Sequence, residues 1–284
     1  MLRNTFLHLP GVGAHRERAL WDRGILDWES FLAAAEGGLL RGRAYETGAP
    51  LVRQSLDAVA HGDARFFQPL LPGRETWRLY PEFADRALFL DIETTGLSAH
   101  YDQVTLIGAL GDGKLALFIN GINLDQFPAY VAQFPLLVTF NGSQFDVPFL
   151  RAHFPKARLD QAHIDLRFVL RSLGYRGGLK AVERSLGLHR ASAIQDVDGF
   201  EAVRLSHSFR RGQKAALEKL ILYNLTDVVN LMELVETAVR LKYPQAAFPG
   251  TIMACESLAA PKFDTGSGCL TTWIAESLSS WNLA

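Results

Sequence analysis

The stretch LFLDIETTGLS, residues 88–98, constrains the fold more than any other. With Ala87 before it, four apolar residues run directly into Asp91 and Glu93, then two threonines and a glycine. An apolar run bounded by turn residues reads as a buried strand. Side chains alternate along a strand, so Asp91 and Glu93 project to one face. Two like charges about 4 Å apart repel by about 4 kcal/mol at an effective dielectric near 20, unless something neutralises them. Either the strand has reached solvent and TTG is its polar turn, or the pair belongs to a charged centre.

The surrounding chain reads as an ordinary globular protein. With 284 residues, 48% hydrophobic and 21% charged, it is long enough for a sizeable core and two domains. No apolar run is long enough to span a membrane, and MLRNTFLHLPGVG is too broken by Pro and Gly for a secretory signal. Cys255 and Cys269 are the only cysteines, which excludes a disulfide framework and a Cys-rich zinc site and fits a reducing cytoplasm. Charge is unevenly spread. Residues 87–150 hold six acids against Lys114 alone, a balance of −5, whereas residues 151–220 hold fourteen Lys and Arg against seven acids, +7. An acidic segment followed by a basic one suits a metal centre flanked by a phosphate-binding surface; it also arises from unevenly solvated charge.

Residues 1–65 carry helix-like apolar spacing and are expected as a small helical domain, with the proline-punctuated stretch 66–83 as a linker. From 84 to 243 the pattern changes. ALFLDIE, QVTLIGAL, a GDGK turn and LALFI predict three antiparallel strands. A short helix near 125–133, the strand LLVTFN, a helix after GSQ and a short strand AHIDL follow. Helices fill most of 166–240, one running from about Gln213 to Lys242. Three antiparallel strands followed by strands alternating with helices predict an α/β fold with a mixed sheet flanked by helices. In the tail, 244–284, Leu270, Trp273, Ile274, Leu278 and Trp281 form the stripe of an amphipathic helix.

Two further acids join the first pair. In LLVTFNGSQFDVPFL a buried strand and polar turn lead to Asp146 in the first turn of a helix. In ILYNLTDVVNLMELV, Tyr223 and Asp227 stand at i, i+4 on one face of an apolar helix, where an unpartnered Asp is unfavourable. Four converging carboxylates demand cations, and hard oxygen ligands suit Mg²⁺ or Mn²⁺.

DIETTGL, FNGSQFD and YNLTD, in this order, resemble the three exonuclease motifs of the DEDD superfamily of ribonuclease-H-like 3′–5′ exonucleases. Residues 76–240 resemble, more narrowly, the bacterial YprB-like ribonuclease H-like domain. The resemblance implies a ribonuclease H-like sheet and four metal ligands, Asp91, Glu93, Asp146 and Asp227, holding two divalent cations. Tyr223 matches the tyrosine branch, in which this side chain orients the attacking water; the histidine branch needs His where Leu222 stands. The backbone at Thr94 and Thr95 and the side chain of Leu97 would hold the terminal nucleotide. Asn141 would fix the turn that presents Asp146, or serve only that turn. The implied substrate is a single-stranded end of DNA or RNA, with no obligate protein partner. A catalytically silent nucleic-acid-binding protein and a structure-specific endonuclease remain alternatives on the same fold.

Phosphate contacts are expected from Arg171, Arg176, Lys180 and Arg184 around the Gly-Gly turn of RGGLK, and from Arg210, Arg211 and Lys214. LPGVG at 9–13 resembles the hairpin of a helix-hairpin-helix motif, which would bring the Gly11 and Gly13 amides to DNA phosphate. His163 and Asp165 are expected to end a strand and start a helix rather than bind metal.

Overall fold

The computed structural model of the chain describes residues 1–190, 194–197, 199–246 and 248. Cys255, Cys269 and the stripe expected over 270–281 lie outside them.

Five strands make one sheet: β1 (Ala87–Thr94), β2 (Val104–Gly111), β3 (Lys114–Ile119), β4 (Leu136–Thr139) and β5 (Ala162–Asp165), in the spatial order β3-β2-β1-β4-β5. The first three pair antiparallel, whereas β1/β4 and β4/β5 pair parallel. The β2–β3 hairpin turns on Asp112 and Gly113, both at positive φ (52° and 67°), as a right-twisted two-residue hairpin demands. This is the ribonuclease H-like arrangement expected.

Side-chain alternation along β1 separates two faces. Leu88, Leu90 and Ile92 pack with α5 (Phe127–Val131) and α6 (Asp146–His153) through Phe127, Val131, Phe149 and Leu150. Phe89 on the opposite face shares a core with Val228, Leu231 and Leu234 of α10 (Lys214–Ala246). That helix, about 50 Å long at 1.5 Å per residue, also buries Ile221, Leu225 and Val229 against Leu106 of β2. Asp91 and Glu93, in step with Phe89, therefore face α10. Shorter helices α7 (Leu166–Ser172), α8 (Leu179–Ser185) and α9 (Gly199–Arg210) complete this side.

The first sixty residues form α1 (Ala14–Asp22), α2 (Trp28–Glu36) and α3 (Arg43–Ala60). The stretch 66–83, expected as a linker, is folded and packed. It contains 3₁₀ turns at Ala64–Phe67 and Gly73–Leu79 and the single-turn α4 (Tyr80–Phe83), and Trp77, Leu79 and Tyr80 are fully buried. Pro72 and Pro81 stand at the starts of these helices, where the missing N–H costs nothing, so proline here punctuates helices rather than loosening the chain. Gln68 accepts a hydrogen bond from the His163 amide of edge strand β5 (2.7 Å). Arg78 reaches back to buried Glu17 (3.1 Å) and to Thr5 (2.7 Å). Among the described residues no helix is long and apolar enough to cross a membrane.

Candidate active site

Asp91 and Glu93 lie at the C-terminal end of β1, where the register with β2 slips between Glu93 and Thr94. Such a bulge twists a strand and re-aims its side chains. Asn224 of α10 clamps the first acid, its amide donating to the Asp91 carboxylate (2.7 Å) and to the Asp91 carbonyl (3.2 Å). The helix can come this close because β2 carries Gly108, where an added Cβ would stand 1.9 Å from Asn224 Oδ1. Asp146 opens α6 and is buried, presented by the turn 141–145. Asn141 takes positive φ (67°) there, and Asp165 accepts the Asn141 and Ser143 amides (2.8 and 3.1 Å). Asp165 also caps α7, as expected of it.

Asp227 is buried on α10 with Arg190 against it, Nη2 to Oδ1 at 2.5 Å. The same guanidinium makes a two-point contact with buried Glu183 (2.6 and 2.7 Å), which also accepts from Asn230 (2.8 Å). Tyr223, one helical turn before Asp227, has the Arg190 guanidinium 5.5 Å and the Lys180 ammonium 5.3 Å from its ring centre.

The electrostatics bind the four acids into one centre. Burial pushes the Asp91 and Glu93 carboxyls well above the usual range, and the charges of Asp227 and Asp146 add to it in both. Arg190 opposes the shift at Asp91, and a hydrogen bond from Asn224 opposes it at Glu93. Burial raises Asp146 to about 7, against hydrogen bonds from its own amide and that of Ile92. Burial also raises Asp227 to about 7, chiefly against Arg190. Tyr223 is driven far above its ordinary value, first by burial and then by Asp227, Glu93 and Asp91.

This donor set fits divalent cations. Glu93 Oε1 is buried without a hydrogen-bond partner, and such an oxygen has lost water with nothing in return. Among the described residues no group of three His, Cys, Asp or Glu side chains is set to hold a metal ion. Mg²⁺ needs none, since it binds through one or two carboxylates and fills its octahedron with water and substrate phosphates.

The other expected residues sit as follows. Thr94 and Thr95 are buried, with the Thr95 amide already donating to the Gln103 carbonyl, while Leu97 is 82% exposed. Asn141 Oδ1 accepts from Arg167 (2.5 Å). Lys180 donates to the Gln195 carbonyl (3.3 Å), and Arg176 is exposed about the turn before α8. Gly11 and Gly13 are exposed far along the chain from this centre, Gly11 at positive φ and Gly13 capping α1, preceded by a 3₁₀ turn of three residues, Leu2–Asn4.

Three participants escaped the sequence reading. Asn224 carried a signal: a polar residue in an apolar helix three positions before Asp227, open to the reasoning that marked the Asp. Arg190 and Glu183 carried none, because their pairing with Asp227 exists only in three dimensions.

The RNase_H superfamily model matches residues 88–239. Among solved structures, the chain is similar to the family B DNA polymerase from the hyperthermophilic archaeon Pyrobaculum calidifontis, at 16% identity and TM-score 0.43, over 58% of this chain and 27% of the polymerase chain. It is also similar to a nuclease in its apo form, at 20% identity and TM-score 0.40, over 72% of this chain and 91% of that one. No curated protein matches. With more than half of its length matched by that family model, the chain belongs to the RNase_H superfamily.

Proposed function

We propose that this protein is a 3′–5′ exonuclease of the tyrosine-type DEDD kind, YprB-like in its domain, that removes nucleoside 5′-monophosphates from a single-stranded end. The observation that carries the reading is Glu93 Oε1, buried and unpartnered among Asp91, Asp146 and Asp227. RNase H-like nucleases generally use divalent metal ions. Asp91, Glu93, Asp146 and Asp227 would hold two of them, Mg²⁺ or Mn²⁺. When bound, such a pair makes water a better nucleophile and stabilises charge on attacking and leaving oxygens.

The chain's own residues do the rest. Tyr223 stays a neutral phenol, because burial and three acids hold its proton. It therefore serves to hold and orient the attacking water by hydrogen bonding and does not deprotonate it. Asn224 fixes the carboxylate of Asp91, which a site accurate to a fraction of an ångström requires. Arg190 opposes the protonation of Asp227 and holds the carboxylate in place. Leu97, exposed three residues past the end of β1, would pack on the last nucleotide. Water attacks the terminal phosphodiester, the bond from phosphorus to the 3′-oxygen breaks, and the shortened strand leaves with a 3′-hydroxyl.

The test uses single-stranded DNA and a matching RNA, each 5′-labelled, incubated with Mn²⁺ and with Asp91→Asn protein as control. A ladder of shortening products, absent with Asp91→Asn, is expected and identifies the preferred sugar. Undiminished cleavage by Asp91→Asn, or first products cut within the strand, would refute the exonuclease.

A further inference from the structure

Beside the acidic centre lies a pocket of about 180 Å³ whose lining includes Arg167, Arg171, Arg176, Phe140 and Tyr175 and no acid. Arg167 and Arg171 stand at i, i+4 on α7, so their side chains share a face. Arg176 comes from the turn before α8. Like charges brought together repel, and neither Arg171 nor Arg176 makes an ion pair or a side-chain hydrogen bond among the described residues. A cluster of guanidinium groups without a counter-charge is the arrangement that receives phosphate.

Its position ties it to the reaction. Arg167 donates to Asn141 Oδ1 (2.5 Å) and to Gln144 Oε1 (3.3 Å), both on the turn that delivers Asp146. The pocket stands on the α10 side of the sheet, since Val182 in its wall shares a core with Phe89 and Val228. That is the side to which Asp91 and Glu93 point. A second groove, about 770 Å³, shares Arg171 and continues past Phe168 to Arg74 and Gly73. The parallel strands β1, β4 and β5 end at this edge, and strands about 4.8 Å apart put the groove beside β5 on the order of 10 Å from the end of β1.

We propose that the three-arginine pocket holds a backbone phosphate of the substrate strand away from the bond that is cut, and that the groove running to Arg74 carries the strand onward. This rests on the nucleic-acid reading above and gives the strand a path. The segment 72–76, outside the superfamily match, thereby becomes one wall of the binding groove. Recognition through phosphate is indifferent to base sequence.

The experiment measures binding rather than cleavage, so it stands even where the exonuclease reading fails. Full-length Asp91→Asn protein, with and without Arg171→Ala/Arg176→Ala, is titrated into labelled oligothymidylate and a mixed-sequence strand between about 50 and about 200 mM KCl. Expected is an affinity loss of about tenfold or more, equal for both strands, with the salt slope reduced by about 1. Arg171→Lys/Arg176→Lys should restore most of the slope, because charge is kept, and thermal unfolding of both variants should match the parent. An unchanged affinity and slope in the alanine variant, or a loss confined to one sequence, would overturn the proposal.

Discussion

At the scale of single residues, the centre is a set of acids whose charge burial in the fold opposes. Asp146 shows the sign. Its folded-state value, about 7, lies above the ordinary 3.8. The stability it contributes is complete below about 3.8 and is lost as pH rises through 7, because a buried carboxylate must then ionise. Replacing it by asparagine removes that cost and also removes a proposed metal ligand. Asp146→Asn is therefore expected to unfold at a higher temperature than wild type in chelator, the gap widening from about pH 4 to about pH 7, while nuclease activity is lost. Added Mn²⁺ should raise the wild-type melting temperature most at the alkaline end and close the gap. Melting scans at several pH values, with chelator and with Mn²⁺, check both. A gap independent of pH would mean that the Asp146 charge costs the fold nothing. Arg190 relieves only part of the problem, since one guanidinium divided between Asp227 and Glu183 faces three further acids.

At the scale of elements, the approach of α10 to the sheet decides whether the acids meet. Gly108 on β2 leaves the room into which Asn224 inserts, and Asn224 in turn holds Asp91. Gly108→Ala is expected to cost about 2 kcal/mol by overpacking and to lower activity by displacing Asn224. In an Asn224→Ala background the obstructing amide is gone, so the same glycine substitution should cost less than about 1 kcal/mol. A denaturant-unfolding cycle of the four proteins measures the coupling; simple additivity would show that helix and strand do not meet there. The strands that set this geometry were legible because short apolar runs bounded by turn residues and an Asp-Gly hairpin are local signals, and the same is true of the acids, which stand out against apolar neighbours. The packed nature of 66–83 was not legible, since three short helical turns leave no period, and Trp77 and Tyr80 are buried by residues distant in sequence. Arg190 was illegible for the same reason: it lies beyond the end of α8 in a basic stretch whose Arg171, Arg176 and Arg184 are exposed.

At the scale of the whole molecule, the N-terminal helices and the sheet share a core. Buried residues from Leu2 and Phe6 through Trp28, Phe67 and Trp77 to Phe89, Val138 and Val239 are contiguous, and the buried Arg78–Glu17 pair bridges the same junction. Disturbance at one end should therefore unfold the other. His8 supplies the means. It is 3% exposed beside the rings of Trp28 and Phe67 (5.2 and 6.2 Å), and neither ring nitrogen has a hydrogen-bond partner. Burial pushes its value down to about 4 from the ordinary 6.5. A depressed histidine contributes stability that is complete above about 6.5 and is lost as pH falls toward 4, where the imidazole must charge inside an apolar wall. The difference in the two values corresponds to about 3 kcal/mol, a large share of a typical domain's stability. His8→Leu, similar in bulk and unable to protonate, is expected to hold its stability between about pH 6.5 and 4 where wild type declines. Because the core is continuous, amide-exchange protection in β1 and in α1 should fall together in acid for wild type and be retained together in the variant. Protection lost in α1 while β1 keeps its own would show that the N-terminal helices are an independent unit rather than part of the body that holds the site.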